Sequence, residues 1–521
     1  MKPVWFALLL IGVTSMASET LYQQYCAQCH GRDRAGGMGP ALLPPNLSRL
    51  KPSQAFEVIK YGRTATQMPA FSKTLSDSQI KSLVSYIYST PASMPRWGAK
   101  EITQSHRLLT QPNPTNNQPV FRADPQNLFV VVESGDHHVT ILDGDKFEPI
   151  ARIPTHFALH GGPKFTRDGR FVYFASRDGW ISKFDLYQLK YVAEIRAGIN
   201  TRNLAISDDG RYVAVANYWP HNLVILDGRD LSLERILPTV SQQGKSSRIS
   251  AVYHARPRHS FVLALKDVPE VWEVPYDPNA KAPFTGLVHD YNPESGEPIV
   301  SGSGQFVPIK ITLDRIVDDF FFTQDYRWLI GATRPNGSGK AKKTNALGVV
   351  INLDVRRAVK QLPLPGMPHL GSGITWTYQG RRVLATPNLG ASAISIIDVS
   401  NWRVIKTIET LGPGFFIRSH ENTPYAWADV FFGPHKNKIH IIDKRTLNIV
   451  KTLAFDPGKT VAHVEFTKDG RYALVSVMEP DGAIIVVDAK TFKTIKRIPM
   501  KRPVGKYNVY NKTHLSEGTS H

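Results

Sequence analysis

A recurring strand-turn-strand unit constrains this chain more than any other feature. In Gly169-Arg170-Phe171-Val172-Tyr173-Phe174 an apolar run leads to Ile181-Ser182-Lys183-Phe184-Asp185. The pattern returns as Gly210-Arg211-Tyr212-Val213-Ala214-Val215 before Leu223-Val224-Ile225-Leu226-Asp227, and as Gly470-Arg471-Tyr472-Ala473-Leu474-Val475 before Ile484-Ile485-Val486-Val487-Asp488. The marking aspartates are Asp143, Asp185, Asp227, Asp277, Asp354, Asp398, Asp443 and Asp488, separated by 42, 42, 50, 77, 44, 45 and 45 residues. A period of that size with several strands per unit is the spacing of β-propeller blades, which bury their apolar faces only by stacking on neighbours. Eight marks predict an all-β eight-bladed propeller over residues 116–521. The 77-residue gap then holds one insertion, roughly Pro278 to Ile311, and a seven-bladed ring stays open because the Asp277 unit is degenerate.

Ahead of the repeat lies a different kind of segment. Cys26-Ala27-Gln28-Cys29-His30 reads C-x-x-C-H, the attachment signature of a c-type haem. The two thiols add across the haem vinyl groups, and His30 is placed to bind the iron from one face. A disulfide between these two cysteines, the only ones in the chain, would close a strained four-residue loop and leave the adjacent histidine a coincidence. Helices are predicted over Glu19 to Gln28, over Ser53 to Lys60, and from Ser76. There Ser76-x-x-Gln79 forms a capping box ahead of Ile80, Leu83, Val84, Ile87 and Tyr88 at helical spacing. Short helices around one covalent haem c make an all-α cytochrome c domain at residues 19–92. Its second axial ligand is expected to be Met68, just before Pro69-Ala70-Phe71 and the last helix, with Met38 as the alternative.

Residues 1–18 have the three parts of a signal peptide: Met1-Lys2-Pro3, an apolar Val4 to Val13, and the small-residue site Ser15-Met16-Ala17. The apolar run is too short to span a bilayer. Haem c is attached outside the bacterial cytoplasm, so both signals predict a periplasmic protein with no membrane span. Residues 93–115, proline-rich and without periodicity, read as a linker. A formal charge of +19 invites a nucleic-acid reading. The secretory signal argues against it, and the densest basic groups, Lys340 to Lys343 and Lys496 to Arg502, are short. The charge fits solubility and steering of an acidic partner, or a basic pocket for an anionic ligand.

Propellers bind ligands where the loops of all blades converge, so a site there draws on residues far apart in sequence. The histidines in connecting loops are His160, His369, His420 and His463. Spacing alone leaves each of them open to a packing role as well as to ligand binding.

The combination of a c-type cytochrome domain and an eight-bladed propeller resembles the cytochrome cd nitrite reductase family, whose propeller holds haem d1. The matching motifs are Thr155-His156-Phe157-Ala158-Leu159-His160, Ala216-Asn217-Tyr218-Trp219-Pro220, Pro368-His369 with Gly371, Ile417-Arg418-Ser419-His420, and Gly505-Lys506-Tyr507-Asn508-Val509-Tyr510-Asn511. The resemblance spans nearly the whole mature chain. The resemblance implies His160 as proximal ligand of haem d1, His369 and His420 on the distal side, Arg202 pairing a haem carboxylate, and Tyr218 lining the pocket. Within the family the chain is more similar to the branch that makes the cofactor, the dihydro-haem d1 dehydrogenases. Its cytochrome domain follows the signal without the tyrosine-bearing arm of the reductases. The stretch Asp318-Asp319-Phe320-Phe321-Phe322, with Tyr326-Arg327 and Gly331-Ala332, also looks like that branch, and His463 stands where reductases carry glutamine.

The implied activity is oxidation of a propionate side chain of bound dihydro-haem d1 to an acrylate, the last step of haem d1 biosynthesis. Removing hydrogen from carbon needs a base, and an imidazole suits that role; His463 is the first choice and His420 the second. Electrons pass through the d1 iron to haem c and on to a periplasmic acceptor. The implied partners are the haem d1 precursor, nitrite reductase as recipient of the finished cofactor, and other haem d1 maturation proteins. Two rival readings are nitrite reduction to nitric oxide in the same fold and a non-catalytic haem d1 carrier.

Overall fold

The computed structural model describes residues 17–37, 39–48, 50–62, 68–110, 118–280, 304–333 and 346–515. Most of the expected signal segment, Met38, the Lys340 to Lys343 group and the middle of the long insertion lie outside the described residues. No helix among the described residues is long and apolar enough to cross a membrane.

Eight antiparallel sheets succeed one another along the chain, seven of four strands and one of five, and each is a propeller blade. The degenerate unit around Asp277 is a full blade, built from Ile249–Ala255, Ser260–Leu265, Glu270–Pro275 and Ile309–Thr312. Its insertion separates the third strand from the fourth, which hides the period in the sequence.

The aspartate mark has a local cause. At the end of a third strand the carboxylate turns the chain toward the outer strand by accepting two successive backbone N–H groups. Asp143 accepts from Asp145 (2.8 Å) and Lys146 (3.1 Å), and Asp185 from Tyr187 (2.9 Å) and Gln188 (3.2 Å). Such a side-chain-to-backbone turn is what Asp and Asn do best. In the fifth blade Asn352 makes it, accepting from Asp354 (2.9 Å) and Val355 (3.2 Å). The pairs Trp328↔Asn352 and Ser260↔Pro275 identify the equivalent positions. Asp354 and Asp277 therefore each sit two residues past the end of their strand, and the 77-residue gap survives because both are displaced equally.

The ring closes through its ends. The strand Pro503–Asn508 pairs with Leu128–Glu133, in the register Phe129↔Asn508, Val130↔Tyr507 and Val131↔Lys506, so the C-terminus supplies the first strand of the first blade. Phe129 and Val131 are fully buried against Leu474 and Ile484 of the last blade. Across the blades the inner strands are mostly buried and outer strands such as Thr494–Pro499 are half exposed, whereas the outer strand of the second blade, Lys190–Arg196, is mostly buried.

The N-terminal part is helical at residues 17–25, Ala27–His30, Pro52–Tyr61 and Asp77–Tyr88. The capping box is present: Ser76 Oγ accepts from Gln79 N–H (3.3 Å), and Gln79 Oε1 accepts from Ser76 N–H (2.9 Å). Tyr22, Ile80 and Leu83 form its core, with Met68 partly buried against them. The stretch expected to be an irregular linker contains the helix Ala99–Ser105 and the strand Arg107–Leu108, which adds a fifth strand to the second blade. Seven residues are too few to display a period. Their stability comes from Ile102, fully buried among Ile181, Ile195 and Leu204 of the propeller.

Removing the side chain that bridges the first and last blades should weaken the whole ring. Phe129→Ala is expected to cost about 3–5 kcal/mol in the urea unfolding of the full chain. Val450→Ala, at a position 52% exposed on an outer strand, should stay within about 0.5 kcal/mol of the parent.

Candidate functional site

Residues from most of the ring meet in a cavity of about 280 Å³, lined among others by His160, Arg202, Asp319, His369, Arg418 and His463. His160 and His369 arrive on loops that precede the second and sixth blades. The others sit on or beside the first strands of the third, fifth, seventh and eighth.

The two loop histidines are held alike. His160 Nδ1 lies 2.7 Å from the Arg202 carbonyl oxygen. A carbonyl only accepts, so Nδ1 carries the proton and Nε2 keeps its lone pair, with Arg202 Nη1 lying against the ring at 2.8 Å from Nδ1 and 3.0 Å from Nε2. His369 Nδ1 lies 2.6 Å from the Phe415 carbonyl, which fixes the same tautomer. Burial lowers the His369 pKa and favours the neutral ring. Its loop is pinned by Asp319, which accepts from Gly371 N–H (2.8 Å) and from the Tyr253 hydroxyl (2.9 Å). A Cβ on Gly371 would stand 2.6 Å from Asp319 Oδ2, so this approach requires glycine.

His30 repeats the arrangement in the cytochrome domain. Its Nδ1 donates to the Pro40 carbonyl (2.7 Å), burial lowers its pKa, and Gly39 leaves room for the ring, since a Cβ there would stand 2.7 Å from Cε1. An imidazole whose Nδ1–H is bound to a carbonyl presents Nε2 to a metal in a fixed orientation. Cys26 and Cys29 flank this site as free thiols, neither exposed.

His463 is built differently. It adopts a left-handed backbone (φ 54°) at a bulge, where regular pairing stops at Ala462↔Ser476 and resumes at Glu465↔Leu474. A non-glycine residue in this conformation persists only where its surroundings impose it. Here its carbonyl accepts from the buried Lys506 Nζ of the closing strand, and its N–H donates to Asp429 Oδ2 (3.4 Å). The ring stands between Phe416 and Tyr507, with centroids 4.7 and 5.2 Å away, and Nδ1 is buried without a hydrogen-bond partner among the described residues. Burial first, then the Lys506 and Arg418 charges, push its pKa well below the usual imidazole value and keep it neutral. Asp429 also accepts from Phe415 N–H (2.7 Å) and Phe416 N–H (3.1 Å); burial pushes its carboxyl up to about 7.

The cavity is rich in cations. Arg418 is buried, donates to the carbonyls of Ile417 (3.0 Å) and Ser372 (3.3 Å), and has Nε without a partner among the described residues. Burial pushes Lys164 down to about 8 and Lys512 to about 7. Cations withdrawn from water, Arg418 with its Nε to spare among them, suit a ligand that carries carboxylates. Together with two imidazoles set to bind iron, they fit an acidic iron tetrapyrrole.

Two family models match the chain: the cytochrome D1 heme domain over residues 123–288 and 301–512, and cytochrome C oxidase, cbb3-type, subunit III over residues 15–87. The chain belongs to the cytochrome D1 heme domain family. It is 53% identical over 521 residues to the dihydro-heme d1 dehydrogenase of Pseudomonas aeruginosa, with 98% of each chain covered. To the nitrite reductase of Stutzerimonas stutzeri it is 24% identical over 551 residues, covering 95% of this chain and 92% of that one. A solved structure of dihydro-heme d1 dehydrogenase NirN in complex with DHE matches with a TM-score of 0.86 at 53% identity, over 95% of this chain and 100% of that one.

Within this D1 heme domain, two residues singled out from the sequence lie apart from the cavity lining. Tyr218 has Arg177, Arg248 and Lys266 around its ring at 5.8, 5.5 and 5.6 Å, a second cationic group outside the cavity. His420 is fully buried beside Phe466, and its Nδ1 accepts from Asn422 N–H (3.1 Å), so it holds the tautomer opposite to that of His160 and His369. The strand Ile417–Arg418 is two residues long; it delivers Arg418 to the cavity and leaves His420 in the turn beyond. His420 is therefore withdrawn as a distal ligand and as a second base. Sequence reasoning missed the roles of Arg418, Asp429 and Lys506, although Arg418 and Lys506 stand in the matching motifs.

The raised Asp429 carboxyl has a measurable signature. Between about pH 4 and pH 7 the folded chain holds a proton there that the unfolded chain has released, so this group makes stability fall as pH rises through that window. Asp429→Asn, which cannot titrate, should flatten the dependence of the urea midpoint on pH over the same range. Equal slopes in parent and variant would mean that the carboxylate is ionised in the folded chain.

Proposed function

We propose that this chain is a periplasmic dihydro-haem d1 dehydrogenase, converting a propionate side chain of a bound haem d1 precursor to an acrylate. The observation that carries this reading is 53% identity over 98% of the chain to a protein of that name. It is supported by a neutral histidine, with a free ring nitrogen, in the cavity that holds two iron-ready imidazoles. The 24% identity to a nitrite reductase is too distant to favour nitrite chemistry.

The reaction breaks two C–H bonds on adjacent carbons, forms one C=C bond, and releases two protons and two electrons. His160 and His369 orient the substrate by its iron, and Arg202 and Arg418 bind its acid groups. His463, held neutral by burial and neighbouring cations, takes a proton from the side chain at its free Nδ1. Lys506 and Asp429 hold the His463 backbone in its left-handed turn. Phe415 and Phe416 exclude water from the reacting side chain. Cys26, Cys29, His30 and Met68 would hold a haem c, which would supply one-electron transfer to a periplasmic acceptor. Residues 1–18 act as the export signal. The product then passes to nitrite reductase, with the other haem d1 maturation proteins as further partners.

His463→Ala is expected to bind dihydro-haem d1 with affinity within a few-fold of the parent, followed by the change in its visible spectrum. It should lose conversion by about 100-fold or more. Conversion at the parent rate would place the base elsewhere, and nitric oxide formed from nitrite and reductant at enzymatic rates would overturn the reading. Because the His463 pKa lies well below the usual value, the rate of the parent enzyme should show no loss at the ordinary imidazole pKa of about 6.5 as pH is lowered.

A further inference from the structure

Where the cytochrome domain meets the propeller, Ala35, Ala41 and Leu43 pack on Ile199, Met94, Trp97 and Trp219. Arg196 Nη2 fastens this seam by donating to the Ala35 carbonyl (2.6 Å). The same loop contains Pro40, the acceptor for His30 Nδ1, so the seam is built on the segment that orients the haem c ligand.

Two indoles share this apolar patch and differ in one respect. Trp97 Nε1 donates to the Arg196 carbonyl at 2.8 Å. Trp219 Nε1 is buried and has no acceptor among the described residues, although a phenylalanine would fill the same apolar space without leaving a polar group unsatisfied. The strand Tyr212–Trp219 ends here, and its last two side chains diverge. Tyr218 turns to Arg177, Arg248 and Lys266, whereas Trp219 turns to the cytochrome loop and His221.

We propose that the Trp219 indole N–H donates to a carboxylate of a haem seated at this seam. That carboxylate belongs either to the covalent haem of the cytochrome domain or to the tetrapyrrole of the propeller; the second source rests on the function proposed above. A donor there partly offsets the negative charge of the carboxylate, which raises the potential of nearby iron and strengthens retention of the group that carries it.

The test uses the full-length chain with its covalent haem, comparing Trp219→Phe, which keeps the apolar ring and loses the N–H. If the covalent haem is the acceptor, Trp219→Phe lowers its midpoint potential in a redox titration without added tetrapyrrole. A tenfold change in the reduced-to-oxidised ratio corresponds to about 59 mV. If the tetrapyrrole is the acceptor, that potential is unchanged and the affinity for added dihydro-haem d1 falls about tenfold. Trp219→His, which keeps a ring N–H, should recover part of whichever property is lost. Both properties unchanged in a folded Trp219→Phe chain would overturn the proposal. The parent chain with indole-15N tryptophan gives a measurement that needs no variant: the Trp219 N–H signal should move on haem c oxidation or on addition of dihydro-haem d1, and indifference to both overturns the proposal. Parent chain that binds no dihydro-haem d1 would overturn the function proposed above while the haem c arm still decides the role of Trp219.

Discussion

Everything the propeller does depends on one pairing, that of Pro503–Asn508 with Leu128–Glu133. Blades contact mainly their neighbours, so a chain of eight has two bare ends until the last strand joins the first sheet. Closure brings the His160 loop, near the start of the ring, into one cavity with His463, near its end. It acts on the site directly as well, because Lys506 of the closing strand binds the His463 carbonyl and Tyr507 meets its ring edge to face. The residue proposed above as the base is thus held by the strand that closes the ring.

A second economy of design runs through the imidazoles. His30, His160 and His369 come from unrelated loops, yet each gives its Nδ1 proton to a backbone carbonyl and keeps Nε2 as a lone pair. Backbone carbonyls cannot be altered by substitution and do not titrate, so the tautomer is set by the fold itself. His463 lacks this tie at Nδ1, which leaves that nitrogen available to a proton. One side-chain type serves two chemistries through the partner of a single atom.

The features legible in the sequence are those whose physics is local. The Cys-x-x-Cys-His motif carries its chemistry within five residues, and the blade mark is an aspartate folding onto the N–H groups just after it. The eight-bladed fold followed from that mark even where Asn352 and Pro275 had replaced it, because the neighbouring Asp354 and Asp277 preserved the spacing. The site was legible as a set of loop histidines and less so in its details. Asp429 matters through Phe415, Phe416 and His463, partners that only the ring brings close. His420 and Arg418 differ by two residues in sequence and point into different surroundings, a distinction set by the length of one short strand. The helix Ala99–Ser105 escaped notice because its reason to exist, the burial of Ile102, lies in the second blade.

The outer strands give the basic composition a further meaning. Seven blades end in an edge whose backbone groups are unpaired on one side, and every one of these strands carries lysine or arginine, from Arg152 in the first blade through Arg235, Lys310, Lys360, Lys406 and Lys451 to Lys496 in the last. The second blade, with Lys190 and Arg196, is also covered by Arg107–Leu108. A net positive charge on seven of the eight outer strands, the third being neutralised by Glu234 beside Arg235, opposes edge-to-edge joining of two rings into a continuous sheet. Much of the +19 charge thus keeps copies of this chain apart, so that they can be numerous without aggregating.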